Sequence, residues 1–389
     1  MAERVVITGL GVVSSLGFGL DEFWSGLTSG TSGISEVTSF KATHLERHRG
    51  GEIKDFDPSR LFPLAAIHKL PRTHQFALVA AYQALQDSGV SKTKNVGMVF
   101  GSIVAGSEFI DGCCKDINQY PVYMAASNIC TLLGLSASAF TLSGACAAGN
   151  YAISLAYERI KEGREAVILA GSADYFSPGT FIGLYRVFSL APLCCQPFDK
   201  NRRGLIPAEG AGMLVLESLS SAKKRKAHIY AEVLGYGLSA DAHHALIPSG
   251  DGVFHCMKNA LDQTKLALSD IDYINAHGTG TVPNDRTECA AIKKLFGQKR
   301  SRKIPVSSIK SVLGHTMAAA SAIEAIACCL TLKTGVIAPT INYETPDPEC
   351  DIDCVPNKAR RQKVRVVLNN AFGFGGMNCS VALARNASL

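Results

Sequence analysis

The sequence lacks most features that would indicate something other than an ordinary globular protein. Only 7% of its 389 residues are aromatic and 19% are charged, and no long polar or low-complexity tract occurs, so a disordered chain is excluded. No uninterrupted apolar run reaches the length of a membrane span. Apolar residues make up 47%, enough for one large domain or two fused ones. We therefore expect a cytoplasmic protein with no membrane partner.

Aromatic residues are also missing from the basic segments. The formal net charge is +6, and Lys and Arg are concentrated at 223–226, 299–303 and 358–365. Because nucleic-acid surfaces usually combine basic and aromatic side chains, this pattern predicts no nucleic-acid partner. The clusters are typical of a solvated surface, although together they could attract an acidic partner.

The thirteen cysteines lack the spacing of a disulfide framework or a metal site. Several occur as doublets, at 113–114, 194–195 and 328–329, which is not a ligand spacing. Free thiols in a reducing cytosol are the simpler interpretation. The sequence predicts no bound metal.

Runs of β-branched residues alternate with helical patterns along the chain. Strands are predicted at 4–7, 95–100, 165–170, 211–216, 229–234 and 272–276 and as a pair within 364–383; helices are predicted at 71–88, 147–160, 252–267 and 317–332. The alternation restarts after 223–226, which indicates two duplicated α/β halves. We assign residues 1–235 to the first half and 236–389 to the second.

Cys146 lies in TLSGACAAGN, among side chains too small to crowd a thiol. An inert, packed cysteine is the simplest interpretation of this segment alone. The cysteine also precedes a predicted helix, however, and the positive helix end favours the nucleophilic thiolate. Small neighbours would let a bulky thioester approach. The segment leaves both interpretations open.

Two histidines lie in segments that favour a functional site over a core position. His277 ends a predicted strand and is followed by Gly-Thr-Gly-Thr, where Thr279 and Thr281 offer hydroxyls on one side of an extended segment. His315 follows a glycine and precedes the predicted helix at 317–332. The helix dipole there favours a neutral imidazole that donates a hydrogen bond.

Two further segments complete the candidate site. Lys310 is surrounded by apolar residues and needs a carboxylate partner, for which Glu324 is the candidate. The segment NAFGFGGMN at 370–378 offers flexible backbone whose N–H groups could bind an oxyanion.

These segments together resemble the elongating β-ketoacyl-[acyl-carrier-protein] synthases of the thiolase superfamily. The similarity runs nearly end to end, through VVITGLGVVSSLG, QPFDKNRRGLIPAEGAGMLVLE, HGTGTVPNDRTE, KSVLGHT and NAFGFGGMN. It implies an α/β thiolase-like fold with two duplicated halves in five layers, α-β-α-β-α. It also implies an acyltransferase that performs a decarboxylative Claisen condensation of malonyl-carrier protein with a cysteine-bound acyl chain.

The resemblance implies a catalytic role for four residues. Cys146 would take the acyl chain, and the N–H groups of Cys146 and Phe374 would form the oxyanion hole. His277 and His315 would assist decarboxylation and stabilise the enolate. Phe374, between glycines, would also act as a gate over the cysteine.

Four more residues would support that chemistry. Lys310 and Glu324 would be a supporting pair, while Thr279 and Thr281 would hydrogen-bond the phosphopantetheine arm. Because the acyl carrier protein brings that arm, acyl- or malonyl-loaded, the enzyme would need no cofactor of its own. The resemblance also implies a homodimer, or a heterodimer with a chain-length factor. We expect apolar interface surface around the predicted strand at 165–170 and its neighbours.

The chain departs from the family pattern at a few positions. Ala208 and Ser321 stand where glycine is usual, and Val282-Pro283 replaces Pro-Leu. The segment 106–128, which includes Glu108, is short for a fatty-acid enzyme. We hypothesise a specialised polyketide or polyene synthase rather than the housekeeping fatty-acid enzyme.

Four alternatives compete with this interpretation. A degradative thiolase needs a second catalytic cysteine near the glycine-rich loop, where this chain has Phe374. A chain-initiating synthase would have asparagine in place of His315. A chain-length-factor-like subunit would lack the nucleophile, and a cysteine hydrolase would not explain the second histidine. The thiolase and the non-catalytic partner subunit are kept as the main alternatives.

Overall fold

The computed structural model describes residues 3–63, 67–91 and 95–385. Its strands are β1 Val5–Val13, β2 Ser35–Glu36, β3 Arg49–Gly50, β4 Val96–Gly101, β5 Ala139–Leu142, β6 Val167–Asp174, β7 Gly210–Ser218, β8 Ala231–Ala240, β9 Tyr273–Asn275, β10 Val306–Ser307, β11 Val336–Ile337, β12 Arg360–Arg361, β13 Val366–Phe372 and β14 Met377–Ala384. Its α-helices are α1 Leu20–Ser29, α2 Arg72–Ser88, α3 Ser107–Ile110, α4 Met124–Leu133, α5 Ala148–Lys161, α6 Pro178–Arg186, α7 Leu219–Lys224, α8 Gly250–Thr264, α9 Val282–Phe296, α10 Gln298–Ser301, α11 Lys310–Leu313 and α12 Ala320–Thr334.

Ten strands form one sheet in the order β10-β9-β13-β14-β8-β1-β7-β6-β4-β5. The two halves of this sheet repeat one topology. In the first half β4 is parallel to β5 and β6, and β7 runs antiparallel between β6 and β1. In the second half β9 is parallel to β10 and β13, and β14 runs antiparallel between β13 and β8. This is the pattern of the duplicated α/β unit predicted from the sequence.

The halves meet where β1 pairs with β8 through Val5, Val6 and Ile7. The predicted division between residues 235 and 236 falls within β8. Its position stays a prediction.

Helices cover and separate the two halves. Helix α2 packs on β1, β6 and β7, and α8 packs on β8 and β14 with α9 beside it. Helices α5 and α12 pack against each other, α5 on β4 and β6 and α12 on β7 and β13. They approach closely because Gly149 has no side chain: a Cβ there would lie 2.4 Å from the backbone nitrogen of Ala322. The order of layers is α-β-α-β-α.

Helix α12 is apolar because it is enclosed on all sides. Of the described residues, the span Met317–Thr334 is long and apolar enough to cross a membrane by length and composition, yet nearly all of it is buried inside the fold. A helix that is apolar all round is typical of a protein core as well as of a membrane. The burial identifies this one as a core helix.

The strand expected to border an interface lies inside the sheet. β6 pairs with β4 on one side and β7 on the other, and seven of its eight residues are buried. An interface around this strand and its neighbours therefore stays a prediction, with no free edge at β6 itself. The edge on this side of the sheet is β5.

Candidate active site

A cavity of about 200 Å³ collects residues from both halves of the chain. Six of the eight predicted site residues line it: Cys146, His277, Thr279, Thr281, His315 and Phe374. The other two, Lys310 and Glu324, form a buried ion pair outside the lining. The segments singled out in the sequence are thus brought to one place.

Cys146 sits in a tight turn between β5 and α5. Ala145 just before it has φ 48°, a left-handed conformation that costs a non-glycine residue about 1–2 kcal/mol. Gly373 packs directly on this turn, since a Cβ there would lie 2.8 Å from the Cβ of Ala145. Next to it, the backbone N–H of Phe374 donates a hydrogen bond to the Cys146 sulfur. The glycine-rich loop and the cysteine turn form one packed unit.

The thiol of Cys146 is held in its protonated form. Burial raises its pKa to about 11, while the Lys310 ammonium and the Phe374 N–H act in the opposite direction. We expected the helix end to favour a thiolate; that expectation is wrong for the free protein because loss of hydration outweighs the stabilising groups.

His315 is a neutral hydrogen-bond donor with a defined tautomer. Its Nδ1 accepts the backbone N–H of Met317 at 3.1 Å, so the ring proton resides on Nε2. Burial, with the nearby Lys310 charge, holds its pKa well below the usual range. The neutral imidazole agrees with the sequence prediction, and the largest cause is burial.

His277 is held by a carboxylate that sequence reasoning missed. The buried Glu288 on α9 accepts the backbone N–H of His277 and of Gly278, each at 2.9 Å. Burial raises the pKa of Glu288 to about 7. Burial also lowers the pKa of His277 well below its usual value, with the Lys310 charge adding to the effect. The only sequence signal for Glu288 was its place at the end of HGTGTVPNDRTE.

Asp285, also missed, holds the threonine segment in place. Its carboxylate accepts the backbone N–H of Gly280 at 3.2 Å and of Phe198 at 2.9 Å. The hydroxyls of Thr279 and Thr281 lie 2.8 Å apart, hydrogen-bonded to each other and facing the cavity. This places two hydroxyls at fixed positions on the cavity wall.

The Cys146 thiol and the two imidazoles form a compact group. One donor atom from each of Cys146, His277 and His315 lies within 4.8 Å of the other two. Such a set of one thiol and two imidazoles can also bind a transition metal such as zinc. The sequence prediction of no metal stays a prediction.

The Lys310–Glu324 pair is fully enclosed. The Lys310 ammonium donates to Glu324 Oε1, while Oε2 is buried without a hydrogen-bond partner among the described residues. Burial raises the pKa of Glu324 to about 7, and the Lys310 charge limits that rise.

The departures from the family pattern have local structural consequences. The Ser321 hydroxyl accepts the backbone N–H of Asn150 at 3.0 Å and so ties α12 to α5. The Glu108 carboxylate accepts the N–H groups of Thr73 and Gly106 at 3.1 and 2.9 Å. Glu108 thereby caps α2 and fixes the start of the short segment 106–128. An effect of this segment on acyl chain length stays a prediction.

Two models of one protein family match successive parts of the chain. The model described as Beta-ketoacyl synthase, N-terminal domain matches residues 2–222, and that described as Beta-ketoacyl synthase, C-terminal domain matches residues 230–344. The chain belongs to the β-ketoacyl synthase family. The family and the acyltransferase class predicted from the sequence are confirmed.

Curated relatives match this β-ketoacyl synthase over nearly its whole length. Nodulation protein E of Rhizobium sp. (strain N33) is 39% identical over 98% of this chain and 99% of its own. The 3-oxoacyl-[acyl-carrier-protein] synthase 2 of Coxiella burnetii (strain RSA 493 / Nine Mile phase I) is 37% identical, with the same coverage.

Solved structures show the same fold. The ishigamide ketosynthase/chain length factor superposes with a TM-score of 0.91 at 38% identity, and a type II PKS ketosynthase bound to its acyl-carrier protein (AntDE:AntF) with 0.90 at 32%. Each covers 99% of both chains. The predicted thiolase-like fold is confirmed.

Proposed function

We propose that this β-ketoacyl synthase condenses a malonyl-carrier protein with an acyl chain held on Cys146 and releases CO₂. One observation carries the proposal: a buried thiol and two neutral imidazoles, His277 and His315, converge within 4.8 Å in one cavity. A nucleophile with two uncharged donors suits a reaction that forms a thioester and then an enolate.

The first half-reaction transfers the acyl chain. The Cys146 sulfur attacks the carbonyl carbon of the acyl-carrier thioester, a new S–C bond forms and the bond to the carrier sulfur breaks. The thiol proton leaves with the carrier thiol, so no external acid or base is consumed. The Phe374 N–H, which points at the Cys146 sulfur, and the Cys146 N–H would stabilise the oxyanion of the intermediate.

The second half-reaction forms the carbon–carbon bond. The malonyl group loses CO₂, and the electron pair of the broken bond moves to the thioester oxygen as an enolate. The Nε2–H of His315 and the His277 imidazole would donate to that oxygen. The enolate carbon then attacks the acyl thioester, and Cys146 leaves as a thiolate that takes up a proton. A β-ketoacyl thioester on the carrier protein is the product.

We assign the carrier's phosphopantetheine arm to the wall that carries Thr279 and Thr281. Their paired hydroxyls face the cavity and offer donors to the amides of such an arm. The solved complex of a type II PKS ketosynthase with its acyl-carrier protein, 32% identical to this chain, supports this partner. Because the carrier brings the arm, we propose that the enzyme has no cofactor of its own.

We propose a second subunit as a further partner. Large apolar side chains are exposed in and beyond the short segment, including Ile110, Tyr123, Phe188 and Leu193, each exposing 61–80% of its surface. Exposed apolar surface of this kind is a feature of protein–protein interaction sites where it is contiguous. A homodimer and a heterodimer with a chain-length factor both fit, and the solved ishigamide ketosynthase/chain length factor supports the second.

We place the enzyme in a specialised polyketide or polyene pathway of the cytoplasm. The two similar ketosynthase structures and the short segment 106–128 support the pathway. All thirteen cysteines are free thiols, which supports a reducing compartment. Turnover of saturated, polyunsaturated and polyketone acyl-carrier proteins tests the pathway, and a preference for plain saturated chains would contradict it.

The residues that line the cavity argue against the two alternatives, a degradative thiolase and a non-catalytic partner subunit. A thiolase needs a second cysteine there, but Cys379 is fully buried on β14 with its thiol next to Ser154 and does not line the cavity. A chain-length-factor-like subunit would lack the nucleophile, which is present here as Cys146.

Intact-mass measurement after incubation with a panel of acyl-carrier proteins tests the proposal. We expect one acyl adduct on the wild type and none on Cys146→Ala. Cys329→Ala, which removes a buried thiol of α12 outside the lining, is the matched control and should still be acylated. No adduct from any thioester would overturn the proposed function.

A further inference from the structure

Asp174 is a buried carboxylate whose partners are four hydrogen-bond donors. It ends β6, and its Oδ1 accepts the hydroxyl of Ser102 at 2.6 Å and the backbone N–H groups of Ile103 and Val104 at 3.1 and 3.2 Å. Its Oδ2 accepts the N–H of Ala318 at 2.8 Å. The salt bridges of the described residues do not include it. Fully buried polar groups with this many fixed partners usually define a local conformation.

The Oδ2 side of Asp174 holds the turn that follows His315. Met317 in that turn has φ 52°, a left-handed conformation that a methionine adopts only under constraint. Both backbone groups of the next residue, Ala318, are hydrogen-bonded to β6. Its N–H donates to Asp174 at 2.8 Å, and its carbonyl accepts the Ser172 hydroxyl at 2.8 Å. The constraint on the strained residue therefore comes from β6.

That same turn sets the tautomer of His315. The N–H of Met317 donates to His315 Nδ1 at 3.1 Å, and the adjacent N–H of Ala318 donates to Asp174. Two successive N–H groups are thus divided between the imidazole and the carboxylate. If the Ala318 bond were lost, Met317 could relax to negative φ and its N–H would turn away from the ring.

We infer that Asp174 is a positioning residue that keeps the His315 proton on Nε2, directed at the cavity, by holding the Met317–Ala318 turn. This inference rests on the proposed function for its kinetic consequence, since only decarboxylation would use the His315 donor. The tautomer itself is a property of the free protein.

Asp174→Asn tests the inference because it is isosteric and keeps one acceptor oxygen. That oxygen can still accept the Ser102 hydroxyl and the N–H groups beside it. The amide NH₂ then faces the Ala318 N–H, and because both groups are donors no hydrogen bond forms between them. We expect malonyl decarboxylation to fall about 10²-fold, the scale of a misplaced catalytic group, while acylation of Cys146 is nearly unchanged. The matched control, Ser102→Ala, removes one Oδ1 bond and the bond from the Ala105 N–H to the Ser102 hydroxyl. It leaves the Oδ2 bond to Ala318 in place, so the ratio of the two half-reactions should stay as in the wild type.

The tautomer is measured directly by ¹⁵N NMR of histidine-labelled protein, with the His315 signals assigned by their loss in His315→Asn. We expect the Nε2–H form in the wild type and a mixture in Asp174→Asn. A wild-type Nδ1–H form would overturn the inference even if Asp174→Asn did not fold, as would equal losses in both half-reactions. If the wild type shows the Nε2–H form but neither accepts an acyl chain nor decarboxylates malonyl-carrier protein, the proposed function fails and the positioning role stands.

Discussion

The imidazole rings of His277 and His315 lie with their centroids 5.4 Å apart and their planes inclined at 83°. His277 is held from α9 by Glu288, and His315 by the N–H of Met317. The Glu288 contact fixes the His277 backbone, whereas the Met317 contact fixes the His315 ring itself. The Nδ1 of His277 is buried without a hydrogen-bond partner among the described residues. Both are kept neutral by burial, so they can donate hydrogen bonds at neutral pH without carrying charge into an apolar cavity.

Removal of either imidazole should impair decarboxylation much more than acylation. In the proposed reaction, each of His277→Ala and His315→Ala deletes one donor to the enolate oxygen, and the loss of one such donor lowers a rate by about 10²–10³-fold. Loss of the malonyl group from malonyl-carrier protein is followed by mass, alongside acylation of Cys146. His255→Ala, at an exposed position of α8, is the control. Equal losses in both half-reactions would contradict the assignment.

The Cys146 thiol should react with iodoacetamide only as the pH becomes alkaline. Because burial raises its pKa to about 11, the reactive thiolate is a small fraction at neutral pH, and the alkylation rate should rise steadily from pH 7 to 10. Lys310→Met should slow alkylation further, since the Lys310 charge lowers the pKa of the thiol. Peptide mapping separates Cys146 from the other cysteines. A rate that is constant above pH 8 would show that the thiol ionises lower.

The sequence motifs were sufficient to locate this site but not to describe its ionisation. Cys146, His277 and His315 could be found because each sits in a distinctive run of small residues at a strand or helix end. Asp174 could not, because it acts on backbone N–H groups of residues far away in the sequence, and such contacts leave no local pattern. Glu288 lies in the same motif as His277, but the sequence alone does not show that its carboxylate turns back onto the His277 backbone. The state of the Cys146 thiol was predicted wrongly because burial depends on the whole fold.

The fold shows a similar division. The duplication was visible as an alternation of apolar runs that restarts in the middle of the chain. The order of strands was not visible, since it depends on which strand edges pair in the fold: β6 lies between β4 and β7. The sequence of an apolar strand does not show whether the strand lies at the edge or in the middle of a buried sheet.

Removal of only one partner of the buried Lys310–Glu324 pair should destabilise the protein, whereas removal of both should cost much less. Lys310→Met leaves an unpaired buried carboxylate, which typically destabilises a protein by about 3–5 kcal/mol. The double variant Lys310→Met/Glu324→Leu removes both charges and should be more stable than either single variant. Urea unfolding measures the free energies. A double variant as unstable as the sum of the singles would show that the two charges do not compensate each other.

Glu288 should make stability depend on pH in a defined window. Burial raises its pKa from 4.5 to about 7, so between these values the folded state binds more protons than the unfolded state. This contribution to the free energy of unfolding is present below about pH 4.5 and is lost as the pH rises to about 7. Glu288→Gln cannot titrate, so its stability relative to the wild type should improve from pH 4.5 to 7 in urea unfolding. A difference that does not change with pH would contradict the raised pKa.

The contact between Gly373 and the cysteine turn should be essential for acylation. In Gly373→Ala the new Cβ would lie 2.8 Å from the Ala145 Cβ and 3.2 Å from the Cys146 nitrogen. Overpacking of this kind costs about 1–3 kcal/mol and would push the Phe374 N–H away from the sulfur. Intact-mass kinetics should show slower acylation than in Gly375→Ala, where a Cβ meets nothing within 4 Å and the strain comes only from φ +79°.

Adding Ala145→Gly to Gly373→Ala tests whether the steric clash between the two Cβ atoms is the cause of the slow acylation. It deletes the clashing Cβ and suits the left-handed φ of 48° at that position. The double variant Gly373→Ala/Ala145→Gly should therefore recover part of the acylation rate, with the remaining 3.0 Å approach to the Met377 carbonyl oxygen limiting the recovery. If the double variant is as slow as Gly373→Ala alone, the Cβ–Cβ contact is not what seats the loop over Cys146.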